Sequence, residues 1–485
     1  MTKLFKSNQC FVNIMTKSGA LICVAVVCLI LLLRLTSLGS YDLYDKTEAR
    51  YAGIAMRMAE SNNFITPYIE PSIPFLAKPP LSFWITAASF KMFGINEFAA
   101  RLPHFLFGVF LVMIVYAVFY KLYDFQRAII LATILVSTPA FIGMLGMVMT
   151  ESVLIFCISV SMLSAWIRLE KNGSILCSYM FFIALGLSML AKGPIGVVMI
   201  VIPLTIYLTI YKKWFFFFKK FNIITGFLLS TLIFLPWYIM EEIRNPGFLH
   251  YFLFGEHLGR FLISGWKGDL YGHAHNQPLG MMLLYFVVST VPWIFYPIMS
   301  FVYKPYTLLQ SKPSVDVVFF SCFAFFPIIF FIVARNIILS YGMFCIVPFS
   351  ILILYFFEKN GIKKLLFFIT TSLCPILIIC VMSTNFLNIM LDNSDKKYVQ
   401  FVRMNSQNDV LYFKTKIEYS SRFYSGDRVK LLENEKELEQ LSDGTLIVIG
   451  NEALNSIESK SFRRNLKQVM CDSKNYRCLY MYHNE

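Results

Sequence analysis

Ionisable side chains stand in this sequence at places where an otherwise apolar chain has little reason to carry them. Asp45, Glu48 and Arg50 lie close together ahead of Tyr51, and Lys78 precedes two prolines in Ala77-Lys78-Pro79-Pro80. Glu151 opens an apolar run after Met149-Thr150, and Lys192 separates two such runs in Ala191-Lys192-Gly193-Pro194. Further on come Glu256-His257-Leu258-Gly259-Arg260, Trp266-Lys267-Gly268-Asp269, Tyr271-Gly272-His273-Ala274-His275, and Arg335-Asn336 followed by Tyr341. Lys and Arg hold a lipid phosphate and stabilise the charge that grows on it as it leaves. Lys78, Arg50, Lys192, Arg260 and Arg335 are the candidates for that work. A carboxylate can position or deprotonate an attacking hydroxyl, which nominates Asp45, Glu48 and Glu151. Glu256 with His257 and His275 can hold a divalent metal ion. Tyr51, Tyr271 and Tyr341 offer flat faces for sugar rings. Singly, each has a plainer reading: Lys78 and Lys192 as lysines snorkelling to headgroups, Glu151 as a charge favoured at a helix start. Their convergence on one face of the chain favours a site.

That face is defined by the elements between the charges. The chain has 485 residues, 57% hydrophobic and 15% charged, with 49 Phe and 26 Tyr. This composition excludes a disordered chain, a coiled coil and a disulfide scaffold. Charge-free runs recur at 102–120, 128–150, 152–167, 172–191, 193–211, 221–240, 271–303, 317–334, 336–357 and 365–391, and the run 18–38 carries only Arg34. A span takes about 20 apolar residues, and in lipid such runs must be helices because backbone groups find no water. The expectation is an α-helical polytopic membrane protein with about eleven or more transmembrane helices. The first run, following Lys3, Lys6 and Lys17, is expected to be an uncleaved anchor.

The net charge of +14 raises the question of nucleic acid. With the amino terminus inside and the spans alternating, nearly all of the excess falls on the inner face, as the positive-inside rule requires. Basicity here reports orientation, and no nucleic-acid partner is expected. Residues 1–391 are expected to form the transmembrane unit, with outer loops at 40–101 and 240–278. Stretches 47–60 and 81–93 of the first loop read as short amphipathic helices. Residues 392–485 are expected to form a small soluble α/β domain, with strands at Val410–Phe413, Val429–Leu432 and Leu446–Ile449 and a helix at Asn434–Leu441. Cys471 and Cys478 fall on what read as paired strands outside the cytoplasm, where they can form a disulfide. A transporter would place its ionisable residues near mid-membrane on broken helices. Here they gather at the outer ends beside two large loops, which favours an enzyme over a lipid-carrier transporter.

The stretch Asp45–Arg101, with TEARYAGIAMRMAE, FLAKPPLSFW and FGINEFAARLP, resembles the bacterial family-39 glycosyltransferases of the GT-C fold. These include the aminoarabinose transferases that modify lipid A and, more distantly, the protein O-mannosyltransferases. MTES, AKGPIG, LPWY, NPGFLHYFLFGEHLGRF, WKGDLYGHAHNQP and RNIILSYGMFCIVP extend the resemblance to about residue 350. It implies transfer of a sugar from a polyprenyl (undecaprenyl) phosphate carrier to lipid A or a related glycolipid, at the outer face of a bacterial inner membrane. A protein acceptor is the alternative within enzymes. By position, Lys78 and Arg50 resemble the family's carrier-phosphate contacts, and Glu256, His257 and His275 match the second-loop motif that holds a metal or a substrate phosphate. No nucleotide cofactor is implied. The sequence departs from the family at three places. Thr47 precedes Glu48 where an aspartate is common, Ala77 replaces an acidic residue before the Lys-Pro pair, and Glu151 stands for a common aspartate. These departures leave the base and the metal open.

Overall fold

The computed structural model describes residues 16–263, 265–272, 277–303, 312–360, 364–383, 394–405, 409–438, 440–472 and 476–483. Among the described residues, six helices are long and apolar enough to cross a membrane: Lys17–Ser37, Glu97–Leu122, Thr150–Glu170, Ile175–Lys192, Ile223–Arg244 and Leu339–Asn360, the last beginning as a 3-10 turn. Met281–Thr290 and Phe295–Phe301 together pass the same test but are bent by 106°. Shorter apolar helices cover Phe125–Val136, Pro194–Ile210, Val315–Phe331 and Leu365–Cys380.

Two apolar runs are not the single helices that their length suggests. The run 128–150 is helical only to Val136, then restarts as a short helix at Pro139–Met144. Pro139 cannot extend the preceding helix, because its ring removes a donor and clashes with the turn before it. In the run 271–303 the described helices are Met281–Thr290 and Phe295–Tyr303. Phe and Leu side chains fill one continuous interior around Trp166, Phe119 and Phe320. At the end of the bundle opposite the large loops, Lys171 pairs with Asp316 at 2.7 Å, Lys213 with Glu170 at 2.6 Å, and Arg127 with Glu358 at 2.6 Å. These pairs tie helix ends that are far apart in sequence.

The first loop folds as expected: a π-turn at Asp45–Ala49 runs into the helix Arg50–Ser61, and a second helix covers Leu81–Phe93. Between them lies a two-strand hairpin, β1 (Tyr68–Glu70) and β2 (Ile73–Pro74). The C-terminal residues build a five-stranded sheet in the order β4-β3-β5-β7-β6, where β3 is Val410–Phe413, β4 Val429–Leu432, β5 Leu446–Gly450, β6 Leu466–Cys471 and β7 Arg477–Tyr482. β3 runs parallel to β4 and β5, whereas β7 is antiparallel to β5 and β6. Alternation divides the side chains: Leu446 and Val448 pack under the helix Lys396–Asn405, and Ile447 and Ile449 face Ala453, Ile457 and Phe462. The helix expected at Asn434–Leu441 is shorter, at Glu435–Leu438. Cys471 and Cys478 face each other across β6 and β7 and form a disulfide.

The sheet does not stand apart from the first loop. The helix Tyr419–Ser425, between β3 and β4, buries Phe423 in the same cluster as Tyr51, Phe75 and Phe83. Arg57 grips Asp427 through two hydrogen bonds, at 2.7 and 2.5 Å.

Candidate active site

Lys78 is fixed by the local sequence around it. Pro79 and Pro80 need no amide partner at a helix entrance, so the helix Leu81–Phe93 starts immediately after them and leaves Lys78 at its mouth. Its ammonium donates to the Ala77 carbonyl at 2.9 Å and to Glu256 Oε2 at 3.0 Å. Glu256 comes from the second loop, on the π-helix Tyr251–Gly259, and is buried. It also accepts from Arg260 at 3.0 Å and from the Tyr251 hydroxyl at 3.0 Å. Arg260 in turn reaches Asp269 at 3.3 Å. Burial alone would raise the Glu256 carboxyl, but Lys78 and Arg260 outweigh it and hold it down at about 2. Tyr271 fastens the second loop to the segment before Lys78: its hydroxyl donates to the Pro74 carbonyl at 2.7 Å and accepts from the Leu76 amide at 3.0 Å.

A second cluster forms where the two runs around Lys192 meet. Lys192 ends one helix, and Pro194 begins the next. Gly193 between them has φ +90, and a Cβ there would lie 2.5 Å from the Phe252 ring. Only glycine meets both demands. The turn therefore packs directly on the second loop. Lys192 pairs with Glu151 at 2.6 Å and lies over the Tyr341 ring at 4.7 Å. Ser340 donates to the same carboxylate at 3.1 Å. His257 is held beside this turn with its Nδ1 at 2.8 Å from the Phe252 carbonyl. A carbonyl only accepts, so Nδ1 carries the proton. Burial lowers this imidazole to about 4, which keeps it neutral.

Arg50 is held differently. Its guanidinium lies over the rings of Tyr51 at 5.0 Å, Phe75 at 6.0 Å and Tyr419 at 5.9 Å. Tyr51 is itself buried, edge-on to Phe83.

The other expected site residues lie apart from these groups. Glu48 is fully engaged: Arg101 donates to it at 3.0 and 2.7 Å, and the amides of Tyr44 and Val148 donate at 3.2 Å each. Burial would raise its carboxyl, but Arg101 brings it below the usual range. Asp45 faces the C-terminal unit, accepting from the Ser420 amide at 2.7 Å. Burial, with the nearby carboxylates Glu418 and Asp395, drives it well above the usual carboxylate range. Arg335 is exposed, and His275 lies outside the described residues. Among the described residues, no three His, Cys, Asp or Glu side chains converge to hold a metal. Glu256 carries two cations and a phenol, and the Nδ1–H bond of His257 to a carbonyl leaves its Nε2 as the acceptor nitrogen. Sequence reasoning overlooked Tyr251, Arg101 and Tyr419. Arg101 carried a signal, a charge inside an apolar helix; Tyr419 carried none, being one aromatic residue in a distant unit.

The chain is similar over residues 16–252, just under half its length, to the family described as dolichyl-phosphate-mannose-protein mannosyltransferase. In structure it is similar to ArnT from Cupriavidus metallidurans bound to undecaprenyl phosphate, with a TM-score of 0.76 at 15% identity, covering 94% of this chain and 97% of that one. The chain has the GT-C fold. A more distant likeness, TM-score 0.51 at 13% identity over 89% of this chain and 70% of the other, is to the oligosaccharyltransferase of Archaeoglobus fulgidus. Among curated relatives, an undecaprenyl phosphate-alpha-4-amino-4-deoxy-L-arabinose arabinosyl transferase 2 of Pseudomonas fluorescens is 23% identical over 67% of this chain. A corresponding transferase of Photorhabdus laumondii is 26% identical over 67%. These matches span 57% and 58% of the relatives' own lengths. The resemblance carried by the sequence motifs therefore extends to the whole GT-C architecture.

Proposed function

We propose that this chain is a membrane glycosyltransferase that moves a sugar from an undecaprenyl-phosphate-linked donor to lipid A or a related envelope glycolipid. One observation carries the reading: cations from two loops, Lys78 and Arg260, converge on a single carboxylate, Glu256, in a fold that ArnT shares. A carboxylate between two cations occupies the kind of place a phosphate takes, and Arg50 stands by with no carboxylate of its own among the described residues. In the reaction, the bond from the sugar's anomeric carbon to the carrier phosphate breaks, and a bond to the acceptor oxygen forms. The released carrier phosphate gains charge, which Lys78, Arg50 and Arg260 stabilise. A phosphate acceptor needs no strong base because its oxygen is already ionised. A hydroxyl acceptor would give its proton to a carboxylate. Of the three candidates, Glu151 lies at the Lys192 turn that packs on the second loop, whereas Glu48 is taken up by Arg101 and Asp45 faces the C-terminal unit. No step is assigned to a metal.

The bent pair and the four shorter apolar helices, added to the six long ones, support a topology of about eleven spans. Positive charge gathered at the opposite end supports loops 40–101 and 240–278 facing the periplasm. The C-terminal sheet, with helices on both faces and a disulfide, is read as a soluble α/β domain on that same side. The family match to mannosyltransferases that act on protein favours one second reading, a protein acceptor. The test is purified protein in liposomes with undecaprenyl-phosphate-linked sugar and either lipid A or an acceptor peptide. Sugar appearing on lipid A supports the proposal and sugar on peptide supports the alternative. Carrier crossing the bilayer with its sugar–phosphate bond intact would make the chain a transporter. Envelope lipids from a deletion strain should lack one glycosyl mass.

A further inference from the structure

Among the described residues, Lys78, Lys192 and Arg260 each face a carboxylate, whereas Arg50 faces aromatic rings. Its Nε is buried with no hydrogen-bond partner, and its Nη2 reaches only the Tyr51 hydroxyl, at 3.5 Å. The distinction matters for a phosphate ligand. A carboxylate partner neutralises a cation and must be displaced, while an aromatic face attracts the cation through its quadrupole and leaves the charge and the fork of donors available. Two of the rings over Arg50, Tyr51 and Phe75, come from the first loop. The third, Tyr419, comes from the C-terminal unit.

We propose that Tyr419 is a positioning residue for Arg50, so that the C-terminal unit completes the phosphate-binding wall of the site. The proposal rests on the reading of Arg50 as a carrier-phosphate contact. The ring stands at the start of a helix that is fastened along its length. The Ser420 amide donates to Asp45 at 2.7 Å, and Arg422 pairs with Glu70 at 2.5 Å. Phe423 is buried in the first-loop cluster, and the Tyr424 hydroxyl accepts from the Leu43 amide at 2.9 Å and donates to Glu97 at 3.0 Å. Asp427, just past the helix, takes the Arg57 fork. The exposed Lys416 approaches the same ring at 5.8 Å, so Tyr419 has cations from both units within reach. A unit that only tethered the chain would have no need to present a ring to a site cation.

The experiment uses full-length protein in detergent, with two independent readouts. The first is the rate at which phenylglyoxal modifies Arg50, followed by peptide mass spectrometry. The second is the affinity for undecaprenyl phosphate. Tyr419→Ala should expose Arg50 and raise its modification rate roughly three- to tenfold, and should weaken carrier binding by a similar factor. Tyr419→Phe keeps the ring and should behave as wild type. Tyr419→Leu fills the space without a π-face and should match Ala, which separates ring from volume even if Ala folds poorly. In an Arg50→Ala background, Tyr419→Leu should cause no further loss of binding. Unchanged Arg50 reactivity in folded Tyr419→Leu, or an equal loss without Arg50, would overturn the proposal. Raised reactivity in a protein whose wild type retains no undecaprenyl phosphate would leave the positioning role standing and sink the carrier reading instead.

Discussion

Each site carboxylate acquires its character from a partner, and the partners separate structural from chemical work. Glu48 and Arg101 are both fully buried and hydrogen-bonded to each other, so Glu48→Gln strands a guanidinium in the interior. That should cost about 3 kcal/mol of stability, read as a lower thermal midpoint, with turnover per folded molecule changing less. Lys78 is the contrasting case. Lys78→Ala should lower transfer roughly a hundredfold, the loss of about 3 kcal/mol of charge stabilisation at the leaving phosphate. Lys78→Arg keeps the charge in another shape and should retain part of the rate. Both are measured as sugar transfer at matched levels of folded protein. A snorkelling lysine would predict an Ala variant nearly as active as wild type.

Between elements, the junction of the first loop and the C-terminal unit should respond to pH. Asp45 lies against Glu418 and Asp395, with Arg477 pairing Asp395 at 3.2 Å and Glu418 at 3.6 Å, and its carboxyl is raised by burial first and by its acidic neighbours second. A carboxyl raised on folding contributes stability that is fully present below its unfolded value, about 3.9, and is lost as pH rises through the folded one. Limited proteolysis should therefore release the C-terminal unit faster as pH is raised from about 4 towards alkaline values, and Asp45→Asn should flatten that dependence. Glu256 has the opposite sign. Its carboxyl is depressed to about 2, so Glu256 stays ionised down to acid pH and adds nothing to this dependence. At the Lys192 turn, Gly193→Ala meets both a positive φ and the Phe252 ring. It should destabilise by about 1–3 kcal/mol and reduce transfer by shifting Lys192 relative to the second loop.

For the molecule as a whole, the loops and the bundle ends set orientation. Ser61→Cys and Gly272→Cys should react with an impermeant maleimide from outside spheroplasts, and Lys213→Cys should not. Labelling at position 213 alone would invert the chain and move the whole site to the cytoplasmic face. The ion pairs Lys171–Asp316 and Lys213–Glu170 lie at that opposite end and give the bundle a polar closure distinct from the site.

The helical, membrane-type character, the first-loop helices, three of the sheet strands and the gathering of charge on two loops were all legible in the sequence. Each follows from local periodicity, length and composition, which a linear reading contains. The ordered motifs also carried the resemblance to GT-C glycosyltransferases. Sequence length overstated the run 128–150, where Pro139 interrupts the helix. What only the tertiary structure decided was pairing. Asp45, Glu48 and Arg50 are neighbours in the chain, yet they face the C-terminal unit, Arg101 and a set of rings respectively. Lys78 and Glu256, far apart in the chain, meet at 3.0 Å. On a helical turn, adjacent side chains point to different sides, so their chemistry depends on which distant element packs against each side. That choice is made by the burial of the whole bundle against its loops and C-terminal sheet, and no local pattern encodes it.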